Sequence, residues 1–214
     1  MYIADNGAFD VRMVHAGNGT ISTVAGTPGK SGDAGNGGPA TAATFYSVYD
    51  VAVDTSGNLY IVDEASCEVR KVTGGTINAF AGQFELGYSG DGGPATSALL
   101  ADPYGVAVDG SGTVYIADTI NNRIRTVSGG VNAEYAGATH SQGDGGKASA
   151  AVLFYPQQLA WDAQGNMYIA DTDNNEIRKV AANGTISTVA GNGTFGSTGD
   201  GGPGFRPESL SRRL

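Results

Sequence analysis

The sequence has very few of the residues that usually carry chemistry. In 214 residues it holds one cysteine, Cys67, two histidines and one tryptophan. A single cysteine excludes an intrachain disulfide. Two histidines leave little material for a histidine-held metal. Charged residues make up only 15% and the net charge is −9. No basic stripe of the kind that phosphate backbones require is present. The one basic cluster is Arg206, Arg212 and Arg213, near the end of the chain. Nucleic acid is therefore excluded as a partner. No apolar run is long enough to cross a bilayer, and no signal peptide is recognisable. A soluble chain without a membrane partner is expected. Met1 leads directly into the interior of a repeat, so a secreted or periplasmic parent stays open. Apolar residues nowhere recur at 3.6-residue spacing, which excludes a helical solenoid.

What the chain has is glycine, 35 of them, at fixed places in a repeat. The string Tyr-Ile-Ala-Asp or Tyr-Ile-Val-Asp ends at Asp5, Asp63, Asp118 and Asp171, at spacings of 58, 55 and 53 residues. A Gly-Gly-Pro-Ala-Thr string or a relative of it follows each time, from Gly37, Gly92, Gly145 and Gly201. Periods of tens of residues belong to solenoids, propellers and arrays.

The third copy shows how one unit folds. Tyr104–Asp109 alternates, with Val106 and Val108 on one face, and Gly110-Ser111-Gly112 turns the chain. Val114–Ala117 is a second strand, Asp118–Asn122 a polar loop, Arg123–Val127 a third strand and Val131–Ala136 a fourth. β-branched and aromatic residues dominate these runs, and Gly, Asp and Asn bound them. Each unit therefore reads as a four-stranded antiparallel meander, strands a to d. A long connection follows, in which the Pro and Ala-rich part suits a single helical turn. Such sheets repeated at this period predict an all-β protein, a β-propeller of about four blades. The blades fall at 2–26 (partial), 48–82, 103–137 and 156–191, within one domain. Residues 205–214 are a candidate closing strand.

The units share the pattern Leu-x-x-Pro-x-Gly-Val-Ala-Val-Asp, carried here by Leu100–Asp109, followed by Asn121-Asn122-Arg123-Ile124-Arg125. This pattern resembles the NHL-repeat propellers, in particular glycine-rich bacterial repeats with GDGGPAT linkers. The resemblance covers nearly the whole chain. It implies a propeller whose ligands bind on the top face, where the b–c loops and the d–a connections lie. It does not imply one function, because the family includes protein-binding and RNA-binding platforms, sensor ectodomains and enzymes. NHL propellers commonly have six blades, against about four here.

Positions at which one repeat departs from the others mark candidate sites. At the mouth of strand a, Val48-Tyr49-Asp50 and Pro156-Gln157-Gln158 stand where the third copy has Pro103-Tyr104-Gly105. Tyr49, Tyr104, Gln157 and Gln158 are the expected binding residues, since polar groups converging at an apolar mouth make a site. Cys67 occupies a b–c loop where later copies have Asn122 and Asn175. His140 lies in the third connection. Cys67, His140 and Asp50 are the catalytic candidates for a hydrolase acting on esters, lactones or phosphotriesters. No cofactor is required by any motif. Ca²⁺ is an option at the acidic Gly-Asp-Gly-Gly loops, with Asp91 and Asp144 as candidate ligands. The strand-a aspartates (Asp54, Asp109, Asp162) read as turn caps. The strand-b aspartates read as structural, bonding loop amides or the arginine of the next strand.

The first copy starts at strand b, and the tail is a poor strand a, with two arginines where a blade wants apolar residues. Closure by strand exchange within the chain, between chains, or within a longer repeat array is expected. Open blade edges predict self-association into a homo-oligomer. The leading reading is a binding or scaffold propeller for a protein or small-molecule ligand; a promiscuous hydrolase is the alternative.

Overall fold

The computed structural model describes residues 1–138 and 143–196. Blade 1 has three strands, β1 (Tyr2–Asp5), β2 (Asp10–Val14) and β3 (Ile21–Ala25). Blade 2 has four, β4 (Val48–Val53), β5 (Leu59–Asp63), β6 (Glu68–Thr73) and β7 (Thr76–Gly82). Blade 3 comprises β8 (Pro103–Val108), β9 (Val114–Asp118), β10 (Arg123–Ser128) and β11 (Val131–Ala136). Blade 4 comprises β12 (Pro156–Trp161), β13 (Met167–Asp171), β14 (Glu176–Val180) and β15 (Ile186–Gly191). Every sheet is an antiparallel meander in chain order. The inner strands pack side by side, β4 against β8 and β8 against β12, while β1 packs on β4.

The sheets stack face to face, so the apolar residues form seams between blades rather than one central core. One seam joins blades 1 and 2 around Val11, Ala25, Phe45 and Ile61. A second joins blades 2 and 3 around Val62, Val69, Leu100 and Ile116. The third joins blades 3 and 4 around Ile124, Ala136, Leu153 and Ile169. Each connection drives one large side chain into its seam. Phe45, Leu100 and Leu153 hold equivalent positions, and all three are fully buried. Burying a side chain of this size contributes about 2 kcal/mol.

The Ala-rich parts of the connections form the expected helical turns, as single 3₁₀ turns at Ala40–Ala42, Ala95–Ser97 and Ala148–Ala150. The b–c loops differ from expectation. In blades 1, 2 and 4 they also wind into 3₁₀ turns, at Asn6–Ala8, Glu64–Ser66 and Thr172–Asn174. Each ends on a residue in the left-handed region: Phe9, Cys67 and Asn175, with Asn122 matching them in blade 3. The closing-strand candidate at 205–214 and the candidate base His140 lie outside the described residues.

Candidate binding face

The end of the molecule where the inner strands begin is built by one recurring device. The b–c loop bonds to the connection that precedes the inner strand of its own blade. Glu64 N–H donates to Ser47 O, Ile120 N–H to Ala101 O and Asp173 N–H to Phe154 O, at 2.9–3.1 Å. The strand-b aspartate completes the link. Asp63 accepts from the amides of Tyr46 and Ser47, Asp118 from Ala101 at 2.7 Å, and Asp171 from Phe154. Asp118 also faces Arg125 at 2.9 Å, and Asp171 faces Arg178 at 3.3 Å. These aspartates are fully buried, and burial pushes their carboxyls up while the amides and arginines pull them back. Each acts as an internal hub, which is why every copy has one. The strand-a aspartates cap their turns: Asp109 accepts from the amides of Ser111 and Thr113, and Asp54 and Asp162 do the same in their copies.

The inner strands start with a β-bulge. The pairing register shifts between Val48 and Asp50, between Pro103 and Val106, and between Pro156 and Leu159. Bulges re-aim side chains, and Tyr49 and Tyr104, each set in one, form a row with Tyr155, the residue before β12. Tyr49 and Tyr104 have ring centroids 4.4 Å apart, and Tyr155 stands 6.1 Å beyond Tyr104. Burial, reinforced by the neighbouring Tyr49 and Tyr155 hydroxyls, pushes the Tyr104 phenol far above its ordinary value. Tyr104 is half-buried and Tyr49 is exposed, so the row presents aromatic surface to solvent. Gln157 is half-buried and Gln158 exposed beside the row's blade 4 end. Tyr155 was missed by sequence reading because it precedes its strand. It reaches back to blade 3 by adopting a left-handed backbone, with its N–H held by Asn122 Oδ1 at 2.7 Å.

Of the three catalytic candidates, His140 lies outside the described residues, and Asp50 and Cys67 are described. Asp50 does not face an open mouth. Its carboxylate accepts from Val106 N–H of the next blade at 2.9 Å and from Val51 N–H at 2.8 Å. Burial raises its carboxyl, and those two amides work in the opposite direction. At the equivalent place Gly105 lies so close to the Gln157 carbonyl that a Cβ would collide with it. Variation at this position is therefore an account of how neighbouring inner strands meet. Cys67 is buried, and burial together with the charges of Asp102, Glu64 and Asp118 pushes its thiol up, away from the reactive thiolate.

The Ca²⁺ candidates also face other partners. Asp91 accepts from Arg125 at 2.9 Å and from Tyr88 and Asn132, and Asp144 accepts from Arg178 at 2.9 Å and from Thr188. A carboxylate neutralised by a buried arginine is a poor ligand for a hard cation. In blade 2, Asn36 takes this place against the fully buried Arg70.

Sequence reading also passed over the first residue of strand c: Asp10, Glu68, Arg123 and Glu176. Asp10 accepts from Thr23 and Glu176 from Thr188, and Arg123 pairs with Glu134 at 2.8 Å. Blade 2 has Ala79 at the matching strand-d position, and Glu68 Oε2 is buried with no partner. Burial, with the charge of Asp33 second, raises the Glu68 carboxyl to about 7.

Comparison with known proteins agrees with this architecture. The family profile described as the teneurin NHL domain matches residues 134–200. A structural genomics protein of unknown function from Bacteroides thetaiotaomicron superposes with a TM-score of 0.65 at 23% identity, covering 83% of this chain and 43% of that one. The chain folds as an array of β-propeller blades. An auxiliary nutrient binding protein from Bacteroides ovatus gives a TM-score of 0.61 at 18% identity, with 87% of this chain and 45% of that one covered. At such identities the likeness shows the fold alone. Among curated proteins, the chain is 29% identical over 136 residues to Protein SUPPRESSOR OF QUENCHING 1, chloroplastic, of Arabidopsis thaliana. That match takes in 58% of the array and 13% of the relative. The array thus spans less than half of the two solved propellers and a small part of the plant protein. No helix among the described residues is long and apolar enough to cross a membrane.

Proposed function

We propose that this NHL array is a binding module whose ligand rests on the tyrosine row at the mouth of the inner strands. The observation that carries this reading is the contiguous Tyr49–Tyr104–Tyr155 row, with Tyr49 and Tyr104 set in the bulges of two inner strands and Tyr155 just before a third. Exposed aromatic surface with amide side chains alongside suits a ligand that has a flat C–H face and hydroxyl groups. Asp102 and Glu64 lie on the same face, both with carboxyls raised, by burial first. With them and a net charge of −9, anions are disfavoured. The likeness to a nutrient binding propeller supports a small ligand.

The hydrolase reading has less behind it: Cys67 is buried, and Asp50 is committed to the Val51 and Val106 amides. Calorimetric titration with neutral and anionic saccharides tests the proposal. Saturable binding of a neutral member, weakened at least about tenfold by Tyr104→Ala, is expected from the loss of a stacking face. Absence of binding across the neutral panel, or binding that Tyr104→Ala leaves unchanged, overturns it.

A further inference from the structure

The flank of blade 4 carries a groove of about 270 Å³ lined by Ala170, Thr172, Asn175, Glu176, Ile177, Ala190 and Gly191. All but Glu176 recur identically one repeat earlier, as Ala117, Thr119, Asn122, Ile124, Ala136 and Gly137. On blade 3 this surface is an occupied interface. Ile124 is 0% exposed, whereas Ile177 is 37% exposed.

What fills the blade 3 copy is one short segment of the next repeat. Gly137 N–H donates to Ala148 O, Asn122 Oδ1 accepts from Tyr155 N–H, and Thr119 Oγ1 donates to Pro156 O at 2.7 Å. Ala148, Ala151 and Leu153 close over Ile124 and Ala136. The earlier seams are filled in the same way. Ala40, Ala43 and Phe45 lie in the seam above blade 1, and Ala95, Ala98 and Leu100 serve blade 2. The three segments share one pattern, Ala-x-x-Ala-x-Leu/Phe-x-x-Pro/Val, ending on the first residue of an inner strand.

We propose that the blade 4 groove is a docking site for a segment of this pattern from another NHL-type repeat. The argument is continuity with an established interface. The receiving residues are the same apart from Glu176, which stands where blade 3 has Arg123, the hydrogen-bonding groups stand in the same places, and Ile177 with Ala190 and Ala170 forms the floor. Thr172 is the donor for the carbonyl of the segment's last residue. Asn175 is the acceptor for the N–H just before it. Gly191 N–H serves the first alanine. The proposal is independent of the tyrosine row, which lies at the start of the inner strands.

The test uses the full chain and a fluorescein-labelled peptide of its own sequence, Lys147–Trp161, which fills the blade 3 groove. Saturable binding is expected. Leu153→Ser in the peptide, or Ile177→Asp in the protein, weakens it at least about tenfold, since either change removes an apolar contact of a whole side chain. Unchanged circular dichroism of the Ile177→Asp protein shows that the loss is local. In an Ile177→Cys protein, the introduced thiol is expected to react with a thiol reagent much faster than the buried Cys67, and the peptide is expected to slow it. Three results each overturn the proposal: no saturable binding, binding insensitive to Ile177→Asp, or an introduced thiol as protected as Cys67 in the free protein. The last would mean that the chain itself already fills the groove.

Discussion

Glu68 shows what one missing hydroxyl does to a carboxylate. Asp10 and Glu176 hold the same place in their blades and each accepts from a threonine, but Glu68 faces Ala79. Its folded value is raised from 4.5 to about 7. The folded state therefore binds this proton more tightly than the unfolded chain does. The stability it contributes is complete below about pH 4.5 and is lost as the pH rises to about 7. Urea denaturation at pH 5 and pH 8 is expected to show that loss, of about 2 kcal/mol, and Glu68→Gln is expected to flatten it. Ala79→Thr supplies the donor that blades 1 and 4 use. It is expected to stabilise the protein at pH 8 by about 1 kcal/mol while doing little at pH 5. Cys67 teaches the converse. It sits in the left-handed backbone region where Asn122 and Asn175 stand. Asparagine tolerates that conformation better than most residues. Cys67→Asn is expected to raise Tm, measured by calorimetry.

Between elements, the connection decides how firmly two blades are joined. Leu153 is fully buried in the seam between blades 3 and 4, so Leu153→Ala is expected to cost about 2–4 kcal/mol. Denaturation followed at Trp161 should separate from the far-ultraviolet signal as blade 4 uncouples. Asp118→Ala leaves Arg125 and the Ala101 amide without their buried partner. Arg125 keeps Asp91, so a loss of about 1–3 kcal/mol in urea unfolding is expected. The blade itself was legible in the sequence. Alternation and glycine turns depend on local backbone preference, and four copies of Tyr-Ile-Ala/Val-Asp marked the strand-b aspartates as structural before any coordinates. The site was legible only in part. Tyr49 and Tyr104 stood out as aromatic departures at a repeat position. Tyr155 did not, because its approach to Tyr104 depends on a left-handed turn and on how blade 4 is set against blade 3. Asp50 misled for the same reason: its partner, the Val106 amide, belongs to another blade, and nothing local in the sequence brings the two together. The solitary Glu68 emerges only once the pairing of β6 with β7 is known.

Across the whole molecule, blade 1 differs from the rest. Among the described residues it has three strands, and its Arg12 meets Asp5 at 4.0 Å with both side chains more than a third exposed. Arg70 and Arg125, at the same place in blades 2 and 3, are fully buried. Repeat arrays hold together mainly through neighbouring units. Amides of β2 are therefore expected to exchange at least about tenfold faster than those of β10 in native-state hydrogen exchange, the order expected of a fraying unit against an interior one. With Asp91 and Asp144 held by arginines, chelation is expected to leave Tm unchanged, and millimolar Ca²⁺ is expected not to raise it. The connections have a consequence of another kind. Each one clasps the arginine of the blade it leads into, as Asn36 does Arg70, Asp91 does Arg125 and Asp144 does Arg178. It also plugs the blade it leaves. The unit that carries both halves of a joint therefore runs from one Gly-Asp-Gly-Gly loop to the next, and not from blade to blade. A gene duplication or deletion with its ends in those loops would add or remove a repeat while rebuilding every seam with matching residues. Blade number in such a chain is then free to drift in evolution without any new interface having to be invented.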